Sequence, residues 1–219
     1  MKKKTIFTAL ILIAFILAMA AYNSKTTSTR RKKEPFTDGT KQVLVLGDST
    51  LNNEQYVPYR DAIPSLLKAD LAPPQYNVTV LAEDKARIKH VYRQLQEQKG
   101  KQPDPSIIIL SVGGNDILEN SSAGIKTIFD EYNRLIEHIK AQYPSLEKLI
   151  ILDVYLPMSS QYSNYVPAIK EWNMMLSSHS NVVKLSEIVG AADDFVDDIE
   201  PSISGGKIIS DAIVQMLTK

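Results

Sequence analysis

Val43-Leu44-Val45-Leu46 runs into Gly47-Asp48-Ser49-Thr50, and Ile107-Ile108-Ile109-Leu110-Ser111-Val112 runs into Gly113-Gly114-Asn115-Asp116. Each is a continuous apolar run stopped by glycine, the pattern of a short strand buried on both faces. Outward from these two runs the chain alternates strand-like and helix-like segments. Strands are expected over 42–46, 77–81, 106–112, 149–154 and 182–185, and helices over 59–70, 86–98, 123–142, 167–178 and 205–217. In the 123–142 segment Ile125, Ile128, Phe129, Tyr132, Leu135, Ile136 and Ile139 recur every three or four residues, a core-facing stripe on one side of a helix. Repeated β-α-β units with right-handed crossovers imply an α/β fold, a three-layer α/β/α sandwich around a parallel five-stranded sheet. The natural order is 2-1-3-4-5, and ligands then bind beyond the carboxyl ends of strands one and three, where the order reverses. Those two strands deliver Ser49 and Asn115 to one edge: a hydroxyl that can act as a nucleophile and an amide that can stabilise an oxyanion.

Composition narrows the chemistry. The 219 residues are 44% hydrophobic, enough for one domain with a real core. The 25 basic and 25 acidic residues balance to a net charge of zero, so the strongly basic footprint of a nucleic-acid partner is absent. There is no cysteine, which excludes disulfides, thiolate metal sites and a cysteine nucleophile. His90, His138 and His179 are scattered without metal-ligand spacing, so no metal or other cofactor is expected. Asp193-Asp194 and Asp197-Asp198 with Glu200 form an acidic stretch that lacks calcium-loop spacing and reads as solvated. Tyr155, Tyr162 and Tyr165, with Met158 among them, follow the fourth strand and either line a substrate groove or cover the sheet.

The first residues carry their own signal. Lys2-Lys3-Lys4, an apolar stretch from Ile6 to Ala21 and the small-residue sequence Ala18-Met19-Ala20 fit a secretory signal or an N-terminal membrane anchor over 1–21. A polar tether at 22–40 and a folded domain at 41–219 follow. Lys25, Arg30, Arg31, Lys32 and Lys33 put more positive charge after the apolar run than before it, which by itself argues for the opposite orientation. The complete signal layout outweighs it, and an extracytoplasmic, bacterial location is expected, with membrane attachment if the segment stays uncleaved.

Gly47-Asp48-Ser49 after the first strand, Gly113-Gly114-Asn115-Asp116 after the third, and Trp172-Asn173 in the helix before the last motif together resemble the SGNH (GDSL) hydrolases. The resemblance covers residues 41–219 and implies a flavodoxin-like sheet with esterase, lipase, thioesterase or deacetylase chemistry. On that resemblance Ser49 is the nucleophile, and Asn115 supplies an oxyanion donor together with backbone N–H groups, Gly114 among them. Asp48 is read as organising the turn, because Asx side chains bond nearby backbone groups. The implied substrates are ester-bearing small molecules, lipids or glycans.

Two departures stand out. The family's second motif brings a glycine whose N–H joins the oxyanion hole, whereas Leu81-Ala82-Glu83-Asp84-Lys85-Ala86 has none, leaving Lys85 or a neighbour for that role. The family's last motif, Asp-x-x-His-Pro, is matched by Asp197-Asp198-Ile199-Glu200-Pro201, so glutamate stands where the histidine belongs. An ordinary glutamate, with a pKa of about 4.3, is a far weaker base than histidine at about 6.5. Burial and the neighbouring acidic charges would raise it. Two readings stay open: a Ser49–Glu200–Asp197 hydrolase with a carboxylate base, or a catalytically silent relative whose pocket binds an envelope ligand.

Overall fold

In a computed structural model, residues 39–101, 103–119 and 124–218 are described. The signal or anchor expected at 1–21 and nearly all of the tether expected at 22–40 lie outside the described residues. Strands β1 (Lys41–Gly47), β2 (Tyr76–Val80), β3 (Ile107–Ser111), β4 (Lys148–Leu152) and β5 (Val182–Val183) form one parallel sheet in the order β2-β1-β3-β4-β5. This is the expected order, and its reversal falls between β1 and β3. Among the described residues no helix is long and apolar enough to cross a membrane.

The helices are α1 (Ile63–Asp70), α2 (Ile88–Gln98), α3 (Gly114–Glu119), α4 (Ile125–Gln142), α5 (Val166–Leu176), α6 (Leu185–Ile188) and α7 (Ile203–Thr218). Alternation along the strands assigns them to two layers. Val43 and Val45 of β1 face α1 and α7 through Ile63, Leu67, Ile209 and Ile213. Leu44 and Leu46 face α2, α4 and α5 through Val91, Leu95, Tyr132, Leu135 and Trp172. The stripe read from 123–142 is buried in this second layer at Ile128, Phe129, Tyr132, Leu135, Ile136 and Ile139.

Where boundaries depart from expectation, the causes are local. The helix expected over 59–70 divides into a 3-10 turn at Tyr59–Asp61 and α1, because Ala62 is extended and Pro64 sits in the first helical turn, where a missing N–H costs nothing. β5 stops at Val183 because α6 begins at Leu185, held by Asp153, whose Oδ1 accepts the Ser186 N–H at 2.9 Å. The short helix α3 carries no amphipathic repeat long enough to be seen in the sequence.

Candidate active site

The end of β1 is built around one close approach. Gly47 has φ +132°, and a Cβ placed on it would sit 1.8 Å from the Ser111 carbonyl oxygen. Glycine therefore lets β1 and β3 stay paired to their last residues, with the Asp48 N–H donating to Ser111 O at 3.0 Å. The other edge of Gly47 is closed by a side chain. Gln94 of α2, fully buried, accepts from the Gly47 N–H and donates to its carbonyl, both at 2.9 Å. Its amide stands in for a strand neighbour at the point where the chain turns.

Asp48 then shapes the turn. Its Oδ1 accepts the Thr50 N–H at 3.1 Å, and its carbonyl accepts from Leu51 and Asn52 at 3.0 and 3.1 Å. The carboxyl is 4% exposed, and burial pushes its pKa up to about 7. Ser49 is held at the top of this turn, 8% exposed, and its N–H donates to no acceptor among the described residues.

After β3 the chain turns through Gly113, with φ +122°, where a Cβ would meet the Trp172 ring at 2.3 Å. Gly114 and Asn115 thereby open α3, whose first N–H groups have no intrahelical acceptor, and both residues line the same cavity as Ser49. The Asn115 side chain donates one N–H to Ala86 O at 3.1 Å, which fixes the amide plane and leaves its second N–H uncommitted. Asn173 works like Gln94: it accepts from the Val154 N–H at 3.0 Å and donates to Val154 O at 2.7 Å. Trp172 and Asn173 thus serve the site as packing and backbone clamp.

Glu200 arrives on an irregular segment closed by the Phe195–Pro201 bridge and by the Val196 N–H to Glu200 O at 3.0 Å. The fully buried Asn53 anchors it, accepting from the Ile63 N–H at 2.8 Å and donating to Pro201 O at 3.2 Å. Tyr155 adds a bond from its hydroxyl to Ile199 O at 2.7 Å. The Glu200 side chain is 7% exposed, and its Oε2 has no hydrogen-bond partner within normal distance. Burial pushes its pKa up to about 7, with the Asp84 and Asp197 charges adding to the rise and the Ser49 and Tyr56 hydroxyls opposing it.

Asp48, Ser49, Gly114, Asn115 and Glu200 line one cavity of about 60 Å³, walled by Leu118, Val154, Tyr155, Pro157, Ile169 and Ile199. Two residues singled out in the sequence are placed elsewhere. Lys85 has φ +56°, its side chain is 80% exposed beside Asp84 at 3.7 Å, and it does not line the cavity. Asp197 turns its Oδ1 to the N–H groups of Ile199 and Glu200, both at 2.9 Å, and its carboxylate supports the turn from outside the cavity. No histidine lines it either. His90 Nδ1 accepts the Arg87 N–H at the start of α2, His138 packs on Tyr92, and His179 packs on Phe129 and Tyr132. Tyr155 lines the cavity while Tyr162 and Tyr165 pack on each other outside it. The acidic stretch is consumed locally: Asp194 accepts the Gly190 and Ala191 N–H groups, and no metal-holding cluster occurs among the described residues.

Gln94, Asn53, Tyr56 and Asp84 went unread in the sequence. Gln94, Asn53 and Tyr56 are polar and sit outside any motif, and Asp84 lies in the 81–86 segment, where only a missing glycine is legible; Gln94 alone left a trace, as a polar residue on the apolar face of its helix.

Residues 43–213 match the family model for the GDSL-like lipase/acylhydrolases. Among solved structures, a lipolytic protein of the G-D-S-L family from Veillonella parvula aligns at TM-score 0.68 and 18% identity, over 82% of this chain and all of that one. A catalytic mutant of Axe2, an acetylxylan esterase from Geobacillus stearothermophilus, aligns at TM-score 0.53 and 16% identity, over 82% of this chain and 95% of that one. The esterase EstA from Pseudoalteromonas, inhibited by monoethylphosphonate, aligns at TM-score 0.57 and 17% identity, over 83% and 97%. No curated protein matches the chain. These structures share its fold.

Proposed function

The chain belongs to the GDSL-like lipase/acylhydrolase family, and on that premise we propose that it is a serine ester hydrolase whose general base is Glu200. The observation that carries this reading is the convergence of Ser49, Asn115 and Glu200, from three separate segments, on one cavity at the switch point of the sheet.

Ser49 Oγ attacks the acyl carbon of an ester while its proton passes to the Glu200 carboxylate. The carbonyl oxygen becomes an oxyanion, stabilised by the free Asn115 N–H and by the backbone N–H groups of Ser49 and Gly114. Collapse breaks the acyl C–O bond, and the departing alcohol oxygen takes the proton from Glu200. Water then repeats the sequence on the acyl-serine, giving the carboxylic acid and restoring Ser49. A carboxylate with a pKa near 7 is basic enough for this exchange at neutral pH, where an ordinary glutamate is not. Leu118, Val154, Pro157, Ile169 and Ile199 give the cavity an apolar wall, which suits the acyl group of an ester. Axe2, an acetylxylan esterase of the same fold, makes an acetyl ester the first substrate to try. The signal-like segment at 1–21 supports action outside the cytoplasm, with 41–219 as the working domain.

The unpartnered Glu200 Oε2 supports a second reading, a pocket that binds an ester or glycan without cleaving it. Fluorophosphonate labelling and p-nitrophenyl acetate hydrolysis, followed across pH, separate the two. The hydrolase reading expects labelling that is lost in Ser49→Ala, and a rate that rises through about pH 7 and is lost in Glu200→Gln. Labelling absent from the native protein but present in Glu200→His would establish the binding reading instead.

A further inference from the structure

The peptide that carries Glu200 is gripped from both sides. Its N–H, that of Glu200, donates to Asp197 Oδ1 at 2.9 Å, and its carbonyl, that of Ile199, accepts from the Tyr155 hydroxyl at 2.7 Å. The two holds differ in origin. Asp197 belongs to the same irregular segment as the base and ties that segment to itself. Tyr155 stands three residues beyond β4, next to Val154, whose N–H and carbonyl are both fixed by Asn173 of α5. The Tyr155 ring also packs edge-on against Phe195, with centroids 5.4 Å apart, at the other end of the segment. One side chain rooted at the sheet thus meets the base's segment at Phe195 and at Ile199, and it lines the same cavity as Ser49 and Glu200.

We propose that Tyr155 is a positioning residue, which with Asp197 holds the Ile199–Glu200 peptide and so sets where Glu200 stands against Ser49. This rests on the reading of Ser49 and Glu200 as nucleophile and base. A phenylalanine would pack on Phe195 equally well, and a buried hydroxyl is a cost unless it finds an acceptor. Here the acceptor is the carbonyl directly before the base. Burial pushes the Tyr155 ionisation well above the ordinary phenol value, so the hydroxyl keeps its proton and stays a donor. The Asn53 bond reaches a different carbonyl, that of Pro201, and leaves this peptide to Tyr155 and Asp197. Ser49 follows β1, which is joined through β3 to β4, so the Tyr155 bond refers nucleophile and base to one sheet. Ring and hydroxyl have separable duties: the ring walls the cavity, and the hydroxyl places the base. Loss of the hydroxyl alone should therefore appear in kcat and spare substrate binding.

The test is Tyr155→Phe in the full-length protein, followed by p-nitrophenyl acetate kinetics and by amide hydrogen exchange across 195–201 read by mass spectrometry. We expect kcat to fall by about tenfold to a hundredfold, the cost of a base displaced by up to about 1 Å, with KM within about twofold of native. Exchange should quicken in 195–201 and stay unchanged in β1 and β3. An unchanged kcat, or a loss that appears in KM instead, overturns the proposal. If Tyr155→Phe does not fold, Asp197→Ala, an exposed replacement that frees the same peptide from its other side, decides. A lowered kcat that recovers in Asp197→Asn, which keeps an oxygen acceptor, upholds the proposal; a native kcat in Asp197→Ala, or a loss that Asp197→Asn shares, overturns it. If the native protein shows no Ser49-dependent turnover, the hydrolase reading fails and hydrogen exchange alone decides the hold. Faster exchange across 195–201 in Tyr155→Phe then upholds it, and unchanged exchange overturns it.

Discussion

Asp48 offers the sharpest measurement of how this site is held together. Replacing it with Asn keeps an oxygen to accept the Thr50 N–H and removes only the charge. In the folded chain burial raises the Asp48 pKa from 3.8 to about 7, with Glu200 and Asp116 adding to the rise. A carboxyl whose folded pKa lies above its unfolded one holds its proton more tightly when folded. Its contribution is therefore intact below about pH 4 and is lost as pH rises toward 7, after which the loss is constant. At about 1.4 kcal/mol per pH unit the gap from 3.8 to about 7 corresponds to about 4 kcal/mol. Urea unfolding followed by the fluorescence of Trp172, the single tryptophan and fully buried, reads it directly. The stability of Asp48→Asn relative to the native protein should climb by about 4 kcal/mol between about pH 4 and about pH 8, then level off. A difference that stays flat across that range would mean Asp48 is not penalised by burial, and the electrostatic account of the site would fall with it.

Asn115→Ala should lower kcat by about two to three orders of magnitude with little change in KM, since its free N–H meets the substrate only as the oxyanion forms; steady-state kinetics on a short-chain ester checks it. Gln94→Ala strips both bonds from the Gly47 peptide and leaves buried polar groups unmatched, so a loss of about 2–4 kcal/mol in urea unfolding is expected, together with slower fluorophosphonate labelling.

Two apolar runs ending in glycine were enough to place β1 and β3, and β-α alternation was enough for the sheet order. Both signals are dense, because a strand buried on both faces has no polar position to blur it. Ser49, Asn115 and Glu200 were legible for a different reason: each sits in a short motif at a strand end or a chain reversal. What stayed hidden is the support. Gln94 and Asn53 are polar residues whose partners include peptide groups 47 and 148 positions away, and a peptide group leaves no mark in a sequence. Tyr56 and Asp84 meet through an ordinary hydroxyl–carboxylate bond across two loops. Asp197 shows the converse: its motif position suggested a partner for Glu200, and the local turn took its oxygen first.

The Asn53 bridge has a consequence for how the protein ages under heat. Glu200 sits on the irregular segment 195–201, which gives one side chain, Phe195, to an apolar layer and is tied by the Asn53 side-chain amide to the first turn of α1. Segments with few buried apolar contacts open at lower free energy than the core. Warming should therefore release this latch while the sheet is still whole, and silence would come before melting. The temperature at which the chemistry fails and the temperature at which the domain unfolds are then two properties, and selection could move either one alone.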